Sequence, residues 1–194
     1  MTKVSIAELV TGARAGKLVS FPTDTVPALA VLPERAELIF AAKQRSQDKP
    51  LILMAASAQD LWSFVQGSEQ EYAIWQQIAQ KCWPGAVTLV LPASEKVPTA
   101  MNPINPTTIG IRVPDCAIAQ QILAQTGPLA TSSANLSGQS TLQTMAEIAI
   151  AFPEVLTLKM IEGDQLSLGS GLASTVAKWS GEGWQILRQG KIRL

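Results

Sequence analysis

KLVSFPTDTVPALAVL, residues 17–32, reads as two apolar strands, Lys17 to Phe21 and Val26 to Leu32, on either side of the polar turn Thr23-Asp24-Thr25. Hydroxyls and a carboxylate held between two buried strands have no packing role, so the turn marks a site at the ends of sheet strands. Upstream, Ser5 with Glu8 makes a capping box for a helix over about residues 5–15, with apolar Ile6, Leu9 and Val10 at helical spacing and Gly16 as its stop. Downstream, the Leu38, Ile39 and Ala42 face predicts a helix from Glu34 to Gln44, and Pro50 to Ala55 reads as a fully apolar strand. Ser57/Asp60 and Ser68/Glu71 open two further helices, strands follow at Ala86–Leu91 and Thr108–Val113, and a Pro-rich loop joins those strands. Asp115 is expected to cap a helix to about Gln125, before a short strand Leu129–Thr131 and a helix Leu142–Phe152. Strands Val155–Ile161, Thr175–Trp179 and Trp184–Arg188 complete the series. Interleaved helices and strands predict an α/β fold with a twisted, mixed parallel/antiparallel sheet flanked by helices. The last strands have no helices between them, which places an antiparallel portion at the end of the chain.

At 194 residues and 47% hydrophobic content, the expectation is a single domain, residues 1–194, with a sizeable core. Lys plus Arg and Asp plus Glu balance at fifteen each, so no global field draws the protein to nucleic acid or to anionic lipid. The absence of histidine removes Ser-His-Asp and Cys-His nucleophile systems, HExxH proteases and all imidazole metal ligands. Cys82 and Cys116 form no CxxC pair, and no apolar run approaches the roughly 18 residues of a membrane span. With no signal-peptide pattern at the start, the expected location is the cytoplasm, with no membrane partner. Two apparent phosphate motifs do not hold. Gly12 to Lys17 has the wrong spacing for a P-loop and ends a helix instead of opening one, and Gly169-Ser170-Gly171 lacks the third glycine and following helix of a dinucleotide fingerprint.

Four polar clusters remain, each at a strand end or in a turn after one. They are Pro22-Thr23-Asp24-Thr25; Lys43-Gln44-Arg45 with Lys49; Thr131-Ser132-Ser133-Ala134-Asn135; and Gly171-Leu172-Ala173-Ser174-Thr175, followed by Arg188. Taken singly, each has a plain explanation, since turns favour Asp and Thr, helix C-termini favour Lys and Arg, and Ser/Asn loops are common.

In order, FPTDT, KQR with KPLIL, CWPGAVTLVLP, IGIRVPD, GPLATSSANLSG, GLASTV and ILRQGKI resemble the YrdC-type threonylcarbamoyl-AMP synthases from about Lys17 to Ile192. The family's KxR and SxN signatures fall on Lys43 with Arg45 and on Ser133 with Asn135. The resemblance implies a YrdC-like sheet with an open cleft, in the short form without an extra C-terminal domain. It implies a nucleotidyltransferase that joins L-threonine, bicarbonate and ATP into L-threonylcarbamoyladenylate and pyrophosphate, for the threonylcarbamoyladenosine modification of tRNA. ATP is then a substrate, Mg2+ is expected with it, and downstream tRNA threonylcarbamoyl transfer proteins are the expected partners, with direct tRNA contact a further one. By the resemblance, Lys43 and Arg45 are catalytic, and Lys43, Arg45, Lys49, Thr108, Ser133, Asn135, Thr141 and Arg188 bind ATP. Arg112 would pair with the threonine carboxylate, and Thr25, Thr131 and Ser174 would take the amino acid's other polar atoms. No dedicated protein metal site is implied.

The chain departs from the family pattern at Pro27-Ala28, where Tyr-Gly is usual, at Met54, where a His is frequent, and at Ala173. Pro27, Ala28 and Met54 fall in the expected amino-acid pocket. Two other functions fit part of the pattern. One is a paralogue with the same ATP site acting on another carbamate or carbamoyl substrate. The other is a non-catalytic RNA-binding module, which zero net charge and only 5% aromatic residues disfavour.

Overall fold

The computed structural model describes residues 3–160 and 169–194. Its elements are β1 (Lys3–Val4), α1 (Ile6–Arg14), β2 (Val19–Phe21), β3 (Ala28–Val31), α2 (Glu37–Lys43), β4 (Ile52–Met54), α3 (Glu69–Cys82), β5 (Val87–Pro92), β6 (Thr108–Arg112), α4 (Ala117–Thr126), β7 (Leu129–Ser133), α5 (Met145–Ala151), β8 (Leu156–Leu158), β9 (Thr175–Trp179) and β10 (Trp184–Arg188). The strands form one open mixed sheet in the order β1-β8-β2-β3-β7-β4-β6-β5-β9-β10. As expected for the helix-free end of the chain, β9 and β10 are antiparallel.

The cross-strand register separates core from site. Ala130, Leu53, Ile111, Leu89 and Ala177 stand opposite one another on β7, β4, β6, β5 and β9. All five are buried in a cluster with Ile39 and Phe40 of α2 and Trp75 and Ala79 of α3. One residue along, Thr131, Ile52, Gly110, Val90 and Lys178 form the neighbouring row. Successive side chains on a strand point to opposite faces, so the second row faces away from the helices. Each fully buried Leu or Ile of the first row contributes about 1.5–3 kcal/mol, which fixes the register and with it the polar row. A second cluster packs Leu9 and Val10 of α1, Ile122 and Leu123 of α4 and Ile148 of α5 against Val19, Phe21 and Leu29.

Local chemistry explains where elements begin and end. Capping boxes at Ser5/Glu8 and Ser68/Glu71 start α1 and α3. Gly16 (φ +75°) turns the chain after α1, the role read for it in place of a P-loop. Four expectations need correction. Ser57 donates to Asp60 through its backbone N–H (3.1 Å) and hydroxyl (2.8 Å), but only a short 3-10 turn, Trp62–Phe64, follows. Val65 leaves that turn extended and bridges Ala93, which stops a helix from propagating. Asp115 does not cap α4; Cys116 occupies the N-cap with no side-chain bond. The expected 34–44 helix is split into a 3-10 turn at Pro33–Arg35 and α2. The expected 142–152 helix starts only at Met145, where Thr144 and Glu147 form the capping box. β7 runs two residues further than expected, to Ser133, because Ser132 and Ser133 pair with Leu29 and Ala28 of β3. β1 was not anticipated, since two residues carry no periodicity, and Ile161 lies outside the described residues. Among the described residues, no helix is long and apolar enough to cross a membrane.

Candidate functional site

The polar row forms the floor of a cavity of about 550 Å³ on the open face of the sheet. Gly110 is its centre: a Cβ there would lie 3.3 Å from Thr88 Cγ2 and 3.5 Å from Ile52 Cγ1, so glycine keeps the floor low. Of the residues singled out from sequence, Thr25, Arg45, Thr108, Arg112, Thr131, Ser133, Asn135, Thr141, Ser174 and Arg188 line this one cavity, as do the departures Pro27, Ala28, Met54 and Ala173. Lys43 and Lys49 do not line it.

On β6, Arg112 is only 4% exposed. Its Nε donates to the Gly85 carbonyl (3.0 Å), one terminal nitrogen to Thr25 Oγ1 (2.9 Å) and the other to Asp24 Oδ1 (2.5 Å). A buried guanidinium beside a single carboxylate stays charged and immobile. Burial lowers its pKa from the ordinary arginine value, and Asp24 opposes that shift. Of the five N–H groups on the fork, two make no bond to a described residue. Thr23 and Thr25 share a 3.0 Å hydroxyl contact, and the Thr23 hydroxyl also contacts the Val26 carbonyl. The turn itself is held from outside. The backbone N–H groups of Ser170 and Gly171 donate to the carbonyls of Asp24 and Thr25 at 2.9 Å each. A Cβ on Gly169 would lie 2.4–2.5 Å from backbone atoms of Thr23 and Thr25. The stretch first set aside as a failed nucleotide fingerprint is therefore a clip on the FPTDT turn.

On β10, three strands from β6, Arg188 donates from Nε to the Ser174 carbonyl (3.0 Å) and from a terminal nitrogen to Ser174 Oγ (3.2 Å), which also contacts Thr88 Oγ1 (2.8 Å). Arg45 is held by the carbonyls of Lys49 (2.9 Å) and Pro50 (3.2 Å). Burial lowers both arginines' pKa values from the ordinary range, while Asp48 opposes the shift at Arg45. Lys49 thus contributes its carbonyl, and its side chain is exposed. Lys43 is 1% exposed and lies behind the wall, where its ammonium donates to the Ser133 carbonyl and to Asn135 Oδ1 (3.2 Å). Burial, reinforced by the Arg45 charge, pushes its pKa down to about 7. Ser133 Oγ donates to the same Asn135 oxygen at 2.6 Å, and the Asn135 amide nitrogen donates to the carbonyls of Leu136 and Gln139. The KxR and SxN stretches are therefore one hydrogen-bonded unit. Thr131 spends its hydroxyl on the Ile52 carbonyl (3.0 Å), and Thr108 Oγ1 accepts from Asn102 at 3.4 Å.

Sequence reasoning assigned no role to Asp24, Thr88, Asn102 or Lys178. Thr88 and Lys178 carried a readable signal, Thr88 as the polar residue of the apolar strand VTLVLP and Lys178 as the charged residue of TVAKW. Among the described residues, no group of three His, Cys, Asp or Glu side chains could hold a metal ion.

One face of an open α/β sheet thus gathers arginines, a lysine and hydroxyls in a single cavity. The Sua5/YciO/YrdC family model, described as "Telomere recombination", matches residues 12–190, and the chain belongs to that family. It is 34% identical over 198 residues to the threonylcarbamoyl-AMP synthase of Bos taurus, covering 97% of this chain and 67% of that one. Two structures of P. abyssi Sua5 superpose on it. One carries the substitutions H234A/Y235A, with a TM-score of 0.84, 31% identity and coverage of 97% of this chain and 57% of that one. The other is complexed with L-threonine, with a TM-score of 0.79, 30% identity and coverage of 95% and 54%. The chain thus spans about two thirds of the bovine relative and a little over half of the archaeal one.

Proposed function

We propose that this protein is an L-threonylcarbamoyladenylate synthase: it joins L-threonine, bicarbonate and ATP, releases pyrophosphate, and supplies the group placed on adenosine in tRNA. The observation that carries the reading is the single cavity that brings a buried Arg112–Asp24–Thr25 cluster together with Arg45, Arg188 and the Ser133/Asn135 groups. A relative with the same domain is complexed with L-threonine, which supports the amino-acid end.

In this reading the two free N–H groups of Arg112 receive the threonine carboxylate, and Thr25 and Ser174 orient the remaining polar atoms. Thr131, whose hydroxyl is bonded to Ile52, shapes the floor. Ser133, Thr108 and Thr141 orient the nucleotide, Asn135, whose amide is fully bonded within the protein, fixes Ser133 and the turn beside it, and Arg45 and Arg188 face the phosphates. Lys43, placed behind Asn135, sets the SxN turn and adds positive charge, and Lys49 acts through its carbonyl on Arg45. A carbamate oxygen formed from threonine and bicarbonate attacks the α-phosphorus, the bond to the pyrophosphate oxygen breaks, and the fixed guanidinium groups stabilise the charge that develops there. Mg2+ belongs to this account as the counter-ion of ATP. The product is passed to threonylcarbamoyl transfer proteins acting on tRNA in the cytoplasm. Pyrophosphate release that needs both bicarbonate and threonine, tested against serine, valine and alanine, checks the proposal. Preference for another amino acid would identify the paralogue reading, for which Met54 in the pocket is the structural motive.

A further inference from the structure

Lys178 has no part in the signatures described above. On β9 it alternates with Ala177 and Trp179, both buried in the helix-side core, so its own side chain stands on the cavity face. It continues the floor row, opposite Val90 on one side and Gln185 on the other. The other cations of the cavity are tied down: Arg112 by Asp24, Thr25 and Gly85, Arg45 by two carbonyls, and Arg188 by Ser174. Lys178 makes no side-chain hydrogen bond or ion pair with any described residue. Val90, its partner across β5, and Val176, two residues along β9, line the same cavity and give the Lys178 stem apolar neighbours, while its ammonium has no bond to a described residue to hold it from a ligand. The carboxylate that lines the cavity, Asp48, neighbours Arg45 in sequence and acts on its charge.

We propose that Lys178 is a further anion-binding residue of this cavity, and that it holds the outer phosphates of the nucleotide and the pyrophosphate that leaves. This rests on the synthase reading above. Position selects the phosphates over the amino acid. Arg188 stands opposite Val176, two residues from Lys178 on the same face, so the two backbone positions lie roughly 8 Å apart, one strand over and two residues along, and the side chains can converge on one polyphosphate. Arg112, on β6, is two strands away from β9 with a further offset along the strand, roughly 12 Å, so Lys178 stands nearer to Arg188 than to Arg112. A lysine suits a group that must be released, because its ammonium acts as a mobile point charge without the bidentate geometry of a guanidinium.

The test uses the full chain and inorganic pyrophosphate as the probe. Titration calorimetry at fixed ionic strength should show pyrophosphate bound about 10- to 100-fold more weakly by Lys178→Met, the loss of one charge-assisted contact. AMP and L-threonine should change less than twofold, and Lys178→Arg should recover most of the loss. In turnover assays, the KM for ATP should rise while that for threonine stays put. Unchanged pyrophosphate affinity in Lys178→Met, equal losses for pyrophosphate and threonine, or no pyrophosphate binding by the parent protein would each overturn the proposal. If the parent forms no threonine adenylate yet Lys178→Met still loses pyrophosphate, the synthase reading fails and the anion site stands.

Discussion

Arg112→Lys keeps the positive charge of the amino-acid end and removes its geometry. The guanidinium makes three bonds, to Gly85 O at 3.0 Å, Thr25 Oγ1 at 2.9 Å and Asp24 Oδ1 at 2.5 Å, and has two N–H groups left over. An ammonium drawn to Asp24 keeps that contact and loses the planar fork, so at least one of two bonds to a threonine carboxylate is lost. Hydrogen bonds to charged groups contribute roughly 1.5–3 kcal/mol each, which predicts threonine binding weaker by about 10- to 150-fold. The lost bonds to Gly85 and Thr25 lower the melting temperature as well. Titration of L-threonine into parent and variant, with ATP titrated separately, measures this. Met54→Leu, an apolar exchange in the same cavity, should leave threonine affinity within about twofold. Unchanged threonine affinity in Arg112→Lys, or an equal loss for ATP, would refute the assignment of Arg112 to the carboxylate.

Two glycines that press on the site should act differently. A Cβ on Gly169 would sit 2.4 Å from the carbonyl oxygens of Thr23 and Thr25, and one on Gly190 would sit 2.4 Å from the Ala173 oxygen and 2.6 Å from the Thr175 nitrogen. Gly169→Ala should therefore raise the KM for threonine by tenfold or more, on the scale of about 1.4 kcal/mol, and leave that for ATP little changed, whereas Gly190→Ala, which displaces Ser174 and through it Arg188, should raise both; an ATP KM that stays put in Gly190→Ala would contradict the coupling of Ser174 to Arg188. Lys43 titrates near 7 in the folded chain and near 10.5 when free. Between those values the unfolded chain binds the extra proton, so this group makes stability rise with pH from about 7 to 10.5, by at most about 1.4 kcal/mol per pH unit, with no change from it below 7. Urea unfolding across that window should show the slope in the parent and a flatter one in Lys43→Met; identical slopes would contradict the buried placement of the ammonium.

Much of this was legible in the sequence, for reasons that particular residues make plain. The strands of the sheet could be read because Leu53, Leu89, Ile111 and their neighbours supply continuous apolar runs, and α1 and α3 because Ser5/Glu8 and Ser68/Glu71 cap them locally. The 57–60 segment misled because its capping contacts form without a helix, a choice made by the non-local Val65–Ala93 bridge. Ten of the chosen site residues meet in one cavity because polar side chains at strand ends have few other reasons to be there. What could not be read was how they are used. The burial of Lys43 beneath Asn135 depends on two segments 92 residues apart, and the capture of Arg112 by Asp24 on two segments 88 apart. The clip at 169–171 was invisible because its function lies in backbone contacts that glycine merely permits.

In the proposed function one cavity joins threonine, bicarbonate and ATP. Incubating the protein with ATP, Mg2+, L-threonine and 13C-bicarbonate, followed by immediate mass spectrometry, tests it directly. The expected product is an AMP adduct of N-carboxythreonine that carries the label, is absent when threonine is left out, and falls by about 10- to 150-fold when Arg112 is replaced by lysine at low threonine concentration. ATP consumed with no labelled threonine adenylate would contradict it.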